Sequence, residues 1–516
     1  MSTVDVTLDR QPSRHTPARI GIVHLGLGAF HRAHQAVYLQ QHLNRCVMAS
    51  GEKSTDPAMT GSETEVALSP DDWGITSANI RANRTLVDQL QTNGMRYHVV
   101  EYQDSTHATL REITAIREAL FAGPGGADRE ALLARLSHPD VRIVTLTVTE
   151  KGYFLNPASG ELLTDAEPIA HDIAEPSAPF TAPGLLVAAL ARRRVAGIAP
   201  FTVLCCDNMP ENGKRTRQAI VSLAAQHDKA LADWIAEAVA FPSSMVDRIV
   251  PAMTEDDHER LRRLGIDDPA AVICEAFRQW VIEDNFPLGR PDWAADGVEM
   301  VDDVTPFETM KLRLLNGAHS LLAYAGALAG IETVDAAVSR PAFRRLLARY
   351  WQDEAIPTLT LPPQADADAY TASLLARFAN DSLGHRLIQI AMDGSQKLPQ
   401  RWLAGAVEQH RTGDDLRATA LGVAAWIRFT AGTNLAGQPL TVSDPMADTC
   451  AALHRRHTGN PAALVSAFLA LDAIFPAALR DHPGFSQAVT GSLQQIEREG
   501  IERTIDAHFH AATRES

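Results

Sequence analysis

Three segments of the chain carry polar residues at spacings suited to chemistry. The first is Cys206–Gly213 (CDNMPENG), at the end of an apolar, strand-like run. The carboxyl ends of parallel strands face the ligand crevice of doubly wound sheets, where Asn208 would hydrogen bond a substrate or cofactor. Asp, Asn, Pro and Gly are also the usual turn residues, so this segment alone favours an ordinary turn.

The second segment is Phe307–His319 (FETMKLRLLNGAH). On a helix of about 100° per residue, Lys311, Asn316 and His319 fall at about 0°, 140° and 80° and share one side. Leucines cover much of the remaining surface, which predicts a buried helix. Burial lowers the pKa of a lysine towards neutrality, as a general base for alcohol oxidation requires. Glu308 precedes Lys311 by one turn and would pair with it or gate its proton exchange. A lysine that reaches the surface and forms an ordinary ion pair with Glu308 is the open alternative.

The third segment is Asp393–Arg401 (DGSQKLPQR), where Gly and Pro interrupt a helical pattern. Lys397 and Arg401 would face an anionic or polyhydroxylated substrate. A charged loop between helices explains the same residues equally well.

A glycine turn lies near the start of the chain. The apolar run Ile20–Leu25 leads into Gly26-Leu27-Gly28, and helical character follows over Ala33–Leu43. Strand, glycine turn and helix together suit a dinucleotide, whose pyrophosphate binds at the helix N-terminus. His31 stands where the fingerprint has its third glycine, so the motif alone leaves a plain turn open.

The second candidate strand ends in Ile80–Arg84 (IRANR), which has no acidic residue to hold a ribose 2′-hydroxyl. Arg81 and Arg84 would accept a 2′-phosphate or lie in solvent. The expected cofactor is therefore NAD, with NADP left open.

Elsewhere, strand-like and helical runs alternate up to about residue 285, and helical patterns dominate afterwards. This predicts an α/β fold, with a Rossmann-type doubly wound sheet over residues 17–285 and a mainly α-helical domain over residues 286–512. Residues 1–18 are expected to form a loose arm, and residues 46–72 a surface excursion. The predicted strands are Trp73–Ile80, Tyr97–Tyr102, Val141–Val148 and Phe201–Cys206. The predicted helices are Asp128–Leu136, Gly184–Arg194, Phe307–Ala329, Ala342–Glu354, Asp368–Phe378, Arg417–Thr430, Pro461–Ile474 and Phe485–Glu499.

Composition narrows the class of protein. The chain has 516 residues, 45% of them hydrophobic, which suits two domains. Its net charge of −16 argues against a nucleic-acid partner. No signal peptide or membrane span is evident, and the five cysteines show neither zinc-ligand nor disulfide spacing. We expect a cytoplasmic protein that binds no membrane and no metal, and the oligomeric state stays open.

The chain resembles the mannitol dehydrogenase superfamily of polyol-specific long-chain dehydrogenases. The similar motifs run in one order from the glycine turn into the second domain. They are Gly26–Gln35 (GLGAFHRAHQ), Thr147–Tyr153 (TVTEKGY), Cys206–Gly213 (CDNMPENG), Phe241–Pro251 (FPSSMVDRIVP), Phe277–Trp293 (FRQWVIEDNFPLGRPDW) and Lys311–Ser320 (KLRLLNGAHS).

Two stretches, within Phe277–Trp293 and over Ile390–Trp402 (IAMDGSQKLPQRW), are most similar to the fructuronate reductase branch of that superfamily. That resemblance implies interconversion of D-fructuronate and D-mannonate with NAD(H). A mannitol 2-dehydrogenase or another polyol or aldonate dehydrogenase is the nearest alternative. A protein that binds nucleotide or sugar without catalysis is a remote one. The chain departs from many relatives in its long 46–72 excursion and in the missing acid after the second strand.

The resemblance implies roles for individual residues. Lys311 matches the catalytic acid/base, and Asn208 and Asn316 match the pair that polarises the substrate oxygen. His319 matches a substrate-binding histidine, and Glu308 a position linked to proton exchange with solvent.

Further positions match binding residues. Asp247 matches an acidic residue lining the site, and Lys397 a basic residue near the distal part of the substrate; Arg401 is expected to assist it. The nucleotide loop corresponds to Gly26, Gly28, Ala29 and Phe30, and a histidine at position 31 is normal for this family.

Overall fold

The computed structural model describes residues 6–51, 69–123, 126–156, 159–363, 365–412 and 416–509. The chain divides into two compact units, Met1–Thr305 and Pro306–Ser516, with separate hydrophobic cores. The predicted domain boundary at 285/286 falls before this division and stays a prediction. The predicted excursion over 46–72 begins inside a helix that continues to Gly51, and residues 52–68 lie outside the described part of the chain.

The strands of the described chain all lie in the first unit. They are β1 (Thr7–Gln11), β2 (Ile20–Leu25), β3 (Gly74–Asn79), β4 (Tyr97–Tyr102), β5 (His107–Ile113), β6 (Ile116–Phe121), β7 (Ile143–Leu146), β8 (Thr202–Cys205), β9 (Ser244–Asp247), β10 (Val272–Glu275), β11 (Gln279–Glu283) and β12 (Glu299–Val301). The prediction of a loose arm over residues 1–18 is wrong for Thr7–Gln11, because β1 pairs in parallel with β5 at the edge of a sheet. Residues 1–5 lie outside the described part of the chain.

The central sheet has five parallel strands in the order β6-β3-β2-β7-β8. The chain runs outwards from β2 on one side and then returns to β7 on the other. This reversal creates the crevice at the carboxyl ends of β2 and β7 where doubly wound sheets bind their ligands. Strands β2, β3 and β7 are buried almost throughout, including the polar Thr76 and Ser77 of β3. Such burial is typical of a parallel sheet with helices on both faces. The Rossmann-type prediction is confirmed.

Two smaller sheets complete the first unit. One has the order β1-β5-β4-β10, with β4 and β5 antiparallel, and the other has the order β12-β11-β9. The helices of this unit are α1 (Ala29–Ala33), α2 (Gln35–Gly51), α3 (Arg84–Thr92), α4 (Arg129–Leu136), α5 (Glu167–Ala174), α6 (Ala182–Val195), α7 (Asn212–His227), α8 (Lys229–Ala238) and α9 (Glu255–Arg263).

The second unit is helical, as predicted. Its α-helices are α10 (Thr305–Met310), α11 (Gly317–Leu328), α12 (Val334–Val338), α13 (Pro341–Arg349), α14 (Ala367–Phe378), α15 (Leu387–Ile390), α16 (Gly394–Leu398), α17 (Ala404–Thr412), α18 (Arg417–Phe429), α19 (Ala447–Arg456), α20 (Pro461–Leu469), α21 (Ala477–Arg480), α22 (Pro483–Glu499) and α23 (Ile501–Phe509). Within the described ranges, none of the helices combines the length and the apolar character that a membrane crossing requires.

Three segments of the second unit are π-helical: Lys311–Asn316, Tyr350–Ala355 and Pro399–Leu403. The first joins α10 to α11 without a break, where the sequence predicts one regular helix. Each hydrogen bond of a π-helix spans five residues instead of four, so the side chains point in other directions than α-helical spacing predicts.

Candidate functional site

The glycine turn after β2 is shaped by contact with the strand beside it. Gly26 has φ +109°, and a Cβ atom there would lie 2.0 Å from the carbonyl oxygen of Thr147. At Gly28 a Cβ would meet nothing nearer than 3.8 Å. Gly26 is therefore required by the fold, while Gly28 leaves open space beside the backbone. Gly28, Ala29 and Phe30 are all partly exposed, as a loop that contacts a dinucleotide requires.

Two stacked histidines lie beneath this turn. The rings of His24 and His31 are 3.5 Å apart and nearly parallel. His24 is hydrogen bonded to the carbonyl oxygen of Gly26 and to the Thr147 hydroxyl, and His31 to the hydroxyl of Ser77. Burial lowers the pKa of His24 to about 3, and burial and the neighbouring His24 lower that of His31 well below its usual value. His31, in the place of a third glycine, therefore links α1 to β3 as a neutral side chain.

The segment after β3 presents cations. Arg81 and Arg84 are exposed, and Arg84 lies 3.9 Å from Asp88 and above the ring of Phe121. The amide of Asn79, the last residue of β3, donates to the carbonyl of Asn83. This edge therefore offers an amide and two guanidinium groups, and no carboxylate within residues 79–84.

In the segment Cys206–Gly213, Asp207 and Asn212 stabilise a turn on which Asn208 is exposed. The Asp207 carboxylate accepts hydrogen bonds from Val148 N, Thr149 N and the Tyr153 hydroxyl at 2.6–3.0 Å. Burial raises the pKa of Asp207, and these hydrogen bonds oppose the rise.

Asn212 completes the turn. Its amide donates to the carbonyls of Asp207 and Ser244 and accepts from Ser244 N. Asn208 is exposed on this fixed turn at the carboxyl end of β8, the edge at which the sequence predicts it. Asp247 ends β9, is 3% exposed and lies near His34, whose ring stacks on Phe30 of the glycine loop.

The predicted Lys311, Asn316 and His319 lie on one continuous helix, and the π segment determines their spacing. Asn316 follows Lys311 by five residues, which is one turn of a π-helix. His319 follows Asn316 by three residues in α11, about one α-helical turn. All three are buried, with each residue 6–7% exposed. The three side chains therefore follow each other turn by turn along one side.

Side chains from the other two π segments bind the carbonyls of this helix. The Tyr350 hydroxyl donates to the carbonyls of Arg313 and Arg401, and the Trp351 and Trp402 indoles donate to those of Leu314 and Gly317. A π turn disturbs the regular α-helical pairing of carbonyls, and these donors supply partners in a buried environment. Sequence reasoning missed them, because a Tyr or Trp in a helical run is normally read as core.

Arg401 belongs to the same arrangement. Its guanidinium donates to the carbonyl of Asn316 and to the Ser320 hydroxyl, and it is 9% exposed. The structure thus gives Arg401 a role in holding the helix, and substrate contact by Arg401 stays a prediction. Lys397 is half-buried and donates to the carbonyl of Ile390. Glu308, in the turn before Lys311, is 8% exposed.

Two polar atoms of the predicted site residues have no hydrogen-bond partner within the described part of the chain. They are Asn316 Nδ2 and His319 Nε2, both fully buried. Burial, and next the nearby His385, Arg401, Arg377 and Lys311, lower the pKa of His319 well below its usual value. Because buried polar groups are nearly always paired, these atoms fit donors and acceptors of a bound substrate. Among the described residues, no three His, Cys, Asp or Glu side chains converge as a metal site would require.

Two family models match the chain. The mannitol dehydrogenase Rossmann domain matches residues 20–295, and the mannitol dehydrogenase C-terminal domain matches residues 303–497. The chain belongs to the mannitol dehydrogenase family. The resemblance inferred from the motifs is confirmed.

Relatives within the mannitol dehydrogenase family have diverse names. D-mannonate oxidoreductase of Escherichia coli is 42% identical, over 96% of this chain and 96% of the relative. The uncharacterized oxidoreductase YdfI of Escherichia coli is also 42% identical, over 94% of each chain. The solved ternary complex of Pseudomonas fluorescens mannitol 2-dehydrogenase with NAD and D-mannitol has a TM-score of 0.85 and 35% identity, covering 97% of this chain and 96% of that one.

Proposed function

We propose that this protein is an NAD(H)-dependent oxidoreductase that interconverts D-fructuronate and D-mannonate with a lysine as acid/base and no catalytic metal. The observation that carries the proposal is the unpaired amide of Asn316 one π-helical turn after the buried Lys311. An amine and an unpaired amide at that spacing suit one substrate oxygen. The amine of Lys311 exchanges a proton with this oxygen, and the amide of Asn316 donates a hydrogen bond to it.

The glycine loop fits a dinucleotide. Gly28 leaves open space beside the backbone at the start of α1, and Ala29 and Phe30 are accessible beside it. We assign Gly26, Gly28, Ala29 and Phe30 to its binding. When bound there, this cofactor would supply hydride transfer to and from the substrate carbon.

The protein residues handle the proton and the oxygen. In oxidation, neutral Lys311 removes the proton from the reacting hydroxyl, and Glu308 relays it towards solvent. Asn208 and Asn316 donate hydrogen bonds to the oxygen as charge develops, and each such donor lowers the barrier by about 2.7–4 kcal/mol. In reduction, protonated Lys311 delivers its proton to the new alkoxide. Asp247 and Lys397 orient the hydroxyls of the substrate, and His319 binds the substrate further along the helix.

Relatives support the choice of substrate only in part. The 42% identity to D-mannonate oxidoreductase favours D-fructuronate, and the Ile390–Trp402 stretch agrees with it. The 35% identity to mannitol 2-dehydrogenase favours a neutral polyol as the second candidate.

The test is to follow NADH and NADPH oxidation by the purified protein with D-fructuronate, D-tagaturonate or D-fructose, with EDTA present. Turnover of D-fructuronate with NADH, insensitive to EDTA, is the expected result. Turnover of D-fructose alone would support the polyol candidate. Inhibition by EDTA that added zinc reverses would contradict the lysine mechanism.

A further inference from the structure

His385 lies beside the proposed substrate-binding His319. The two imidazole rings meet edge to face, with centroids 5.6 Å apart and planes at 87°. On its other side, the His319 ring packs against Phe378 at 4.5 Å. His385 comes from the segment before α15, whose backbone pairs with Thr333 at Arg386. This pairing and the aromatic contacts fix both rings.

Each ring carries a buried nitrogen without a hydrogen-bond partner in the described part of the chain. The atoms are His385 Nδ1 and His319 Nε2. Burial lowers the pKa of His385 to about 4, so its ring is neutral at pH 7 and offers one N–H donor and one acceptor nitrogen. Buried polar atoms are nearly always paired, and two unpaired ones on adjacent rings suit a ligand that supplies the partners.

The charges near these rings are mainly positive. Arg377, Arg401 and Lys311 are close enough to disfavour protonation of His319, and Arg377 and Arg401 are each 9% exposed. Glu308, one turn before Lys311, offsets part of that charge. Neutral N–H donors beside these cations suit an anionic ligand, and hydrogen bonds to a charged group are the stronger ones.

The position along the helix suits the end of the substrate remote from the reacting carbon. His319 lies three residues beyond Asn316, a rise of about 4.5 Å in an α-helix. In D-fructuronate, three hydroxylated carbons separate the carbonyl carbon from the carboxylate.

We propose that His385, together with His319, binds the carboxylate of the sugar-acid substrate. This inference rests on the proposed function for the identity of the sugar acid. It assigns the carboxylate to these two rings and leaves Lys397, whose amine donates to the carbonyl of Ile390, to the hydroxyls.

The test uses binding, so that it does not depend on turnover. D-mannonate and D-mannitol differ only in a carboxylate against a hydroxymethyl group, and neither reacts with NADH. Their affinities for the NADH-loaded protein are measured by calorimetry in the wild type and in His385→Phe. We expect D-mannonate to bind more tightly than D-mannitol to the wild type. His385→Phe should weaken D-mannonate about 10- to 100-fold and D-mannitol less than about threefold.

Three further variants sharpen the result. His385→Asn places an amide where imidazole Nδ1 lies and should recover most of the lost affinity, whereas His385→Gln places it one bond further and should not. This pair decides the matter even if His385→Phe fails to fold. His454→Phe, a control at a histidine bound to Thr430 and Ile427, should leave the D-mannonate to D-mannitol ratio unchanged.

Equal weakening of both ligands, unchanged D-mannonate binding, or a wild type without preference for D-mannonate would overturn the inference. Failure of the wild type to reduce D-fructuronate would overturn the proposed function instead, and the binding comparison would still decide the role of His385.

Discussion

Lys311 and Asn316 are one turn apart because the helix between them is π-helical. In a regular α-helix, five residues advance the direction of the side chain by about 140° beyond a full turn. The π segment removes most of this offset, because its hydrogen bonds span five residues. The lysine and the amide are therefore brought closer to one line along the helix than α-helical spacing predicts, as two groups that act on one oxygen require.

Replacing Lys311 should test the proton-transfer step. Lys311→Met keeps the length and burial of the side chain and removes the amine. Since general acid–base catalysis contributes roughly 10²- to 10⁴-fold, kcat should fall by that factor while the NADH dissociation constant is unchanged. Steady-state kinetics and NADH fluorescence measure the two quantities. Lys214→Met, at an exposed lysine paired with Glu211, is the control. A kcat within about threefold of wild type would refute the role of Lys311.

Asn316→Leu should separate activity from stability. The buried Nδ2 has no partner, so its replacement by an apolar group of similar shape should leave Tm unchanged or raise it. If the amide donates to the substrate oxygen, kcat should fall about 100- to 1000-fold. Kinetics and thermal melting on the same preparation test both statements. A large fall in Tm with normal kcat would show that the amide is structural.

Tyr350→Phe should disturb the π-helical arrangement. It removes a hydroxyl that donates to the carbonyls of Arg313 and Arg401 at 2.8 and 3.2 Å. We expect a loss of about 1–3 kcal/mol in the free energy of unfolding and a lower kcat at unchanged NADH affinity. Tyr324→Phe is the matched control, because its buried hydroxyl donates to the carbonyl of Ala391, outside the three π segments. If the two variants lost equal fractions of kcat, the positioning role of Tyr350 would be excluded.

The two glycines of the loop should respond differently to alanine. Gly26→Ala places a Cβ atom 2.0 Å from the Thr147 carbonyl oxygen and should destabilise the first unit. Gly28→Ala has room in the protein and φ −102°, so Tm should be retained. Its methyl group would occupy the space assigned to the dinucleotide, and the NADH dissociation constant should rise at least about tenfold. Unchanged NADH affinity in Gly28→Ala would place the cofactor elsewhere.

Stability should fall in mild acid. His24 and His34 are buried, and burial lowers the pKa of each to about 3. Between that value and the ordinary histidine pKa of 6.5, the unfolded chain binds protons that the native protein does not. The contribution of each ring to the free energy of unfolding is therefore complete above pH 6.5. Below that pH it is lost at about 1.4 kcal/mol per pH unit. Urea unfolding at pH 7.5 and 5.5 measures the loss. A free energy of unfolding that is equal at the two values, or higher at pH 5.5, would contradict it.

The sequence predicts the architecture well because hydrophobic periodicity determines it. β4 was predicted at its observed bounds, and β7 and β8 within two residues at each end. The N-terminal strand escaped prediction because Thr7–Gln11 (TLDRQ) is polar and largely exposed, as an edge strand can be.

Within the site, the sequence indicates the residues whose side chains are proposed to bind or react with the substrate. It does not indicate the residues that position them by hydrogen bonds to the backbone. Asn208, Lys311 and Asn316 are conspicuous by type. Asp207 and Asn212 have the composition of any turn, although their hydrogen bonds determine where Asn208 lies. The π segment Lys311–Asn316 cannot be recognised from the hydrophobic pattern. Its leucines would be buried whether the segment were wound as an α-helix or as a π-helix.

The hydroxyl of Tyr350 links three segments that are distant in sequence. Tyr350 belongs to one π segment and bonds to a carbonyl in each of the other two. None of the three can revert to α-helical winding without breaking a bond to another, so they should change conformation in concert or not at all. A deletion of one residue within Lys311–Asn316 should rewind that segment and also release residues 399–403, so the helix that carries Lys311 should tolerate substitutions far better than changes in length.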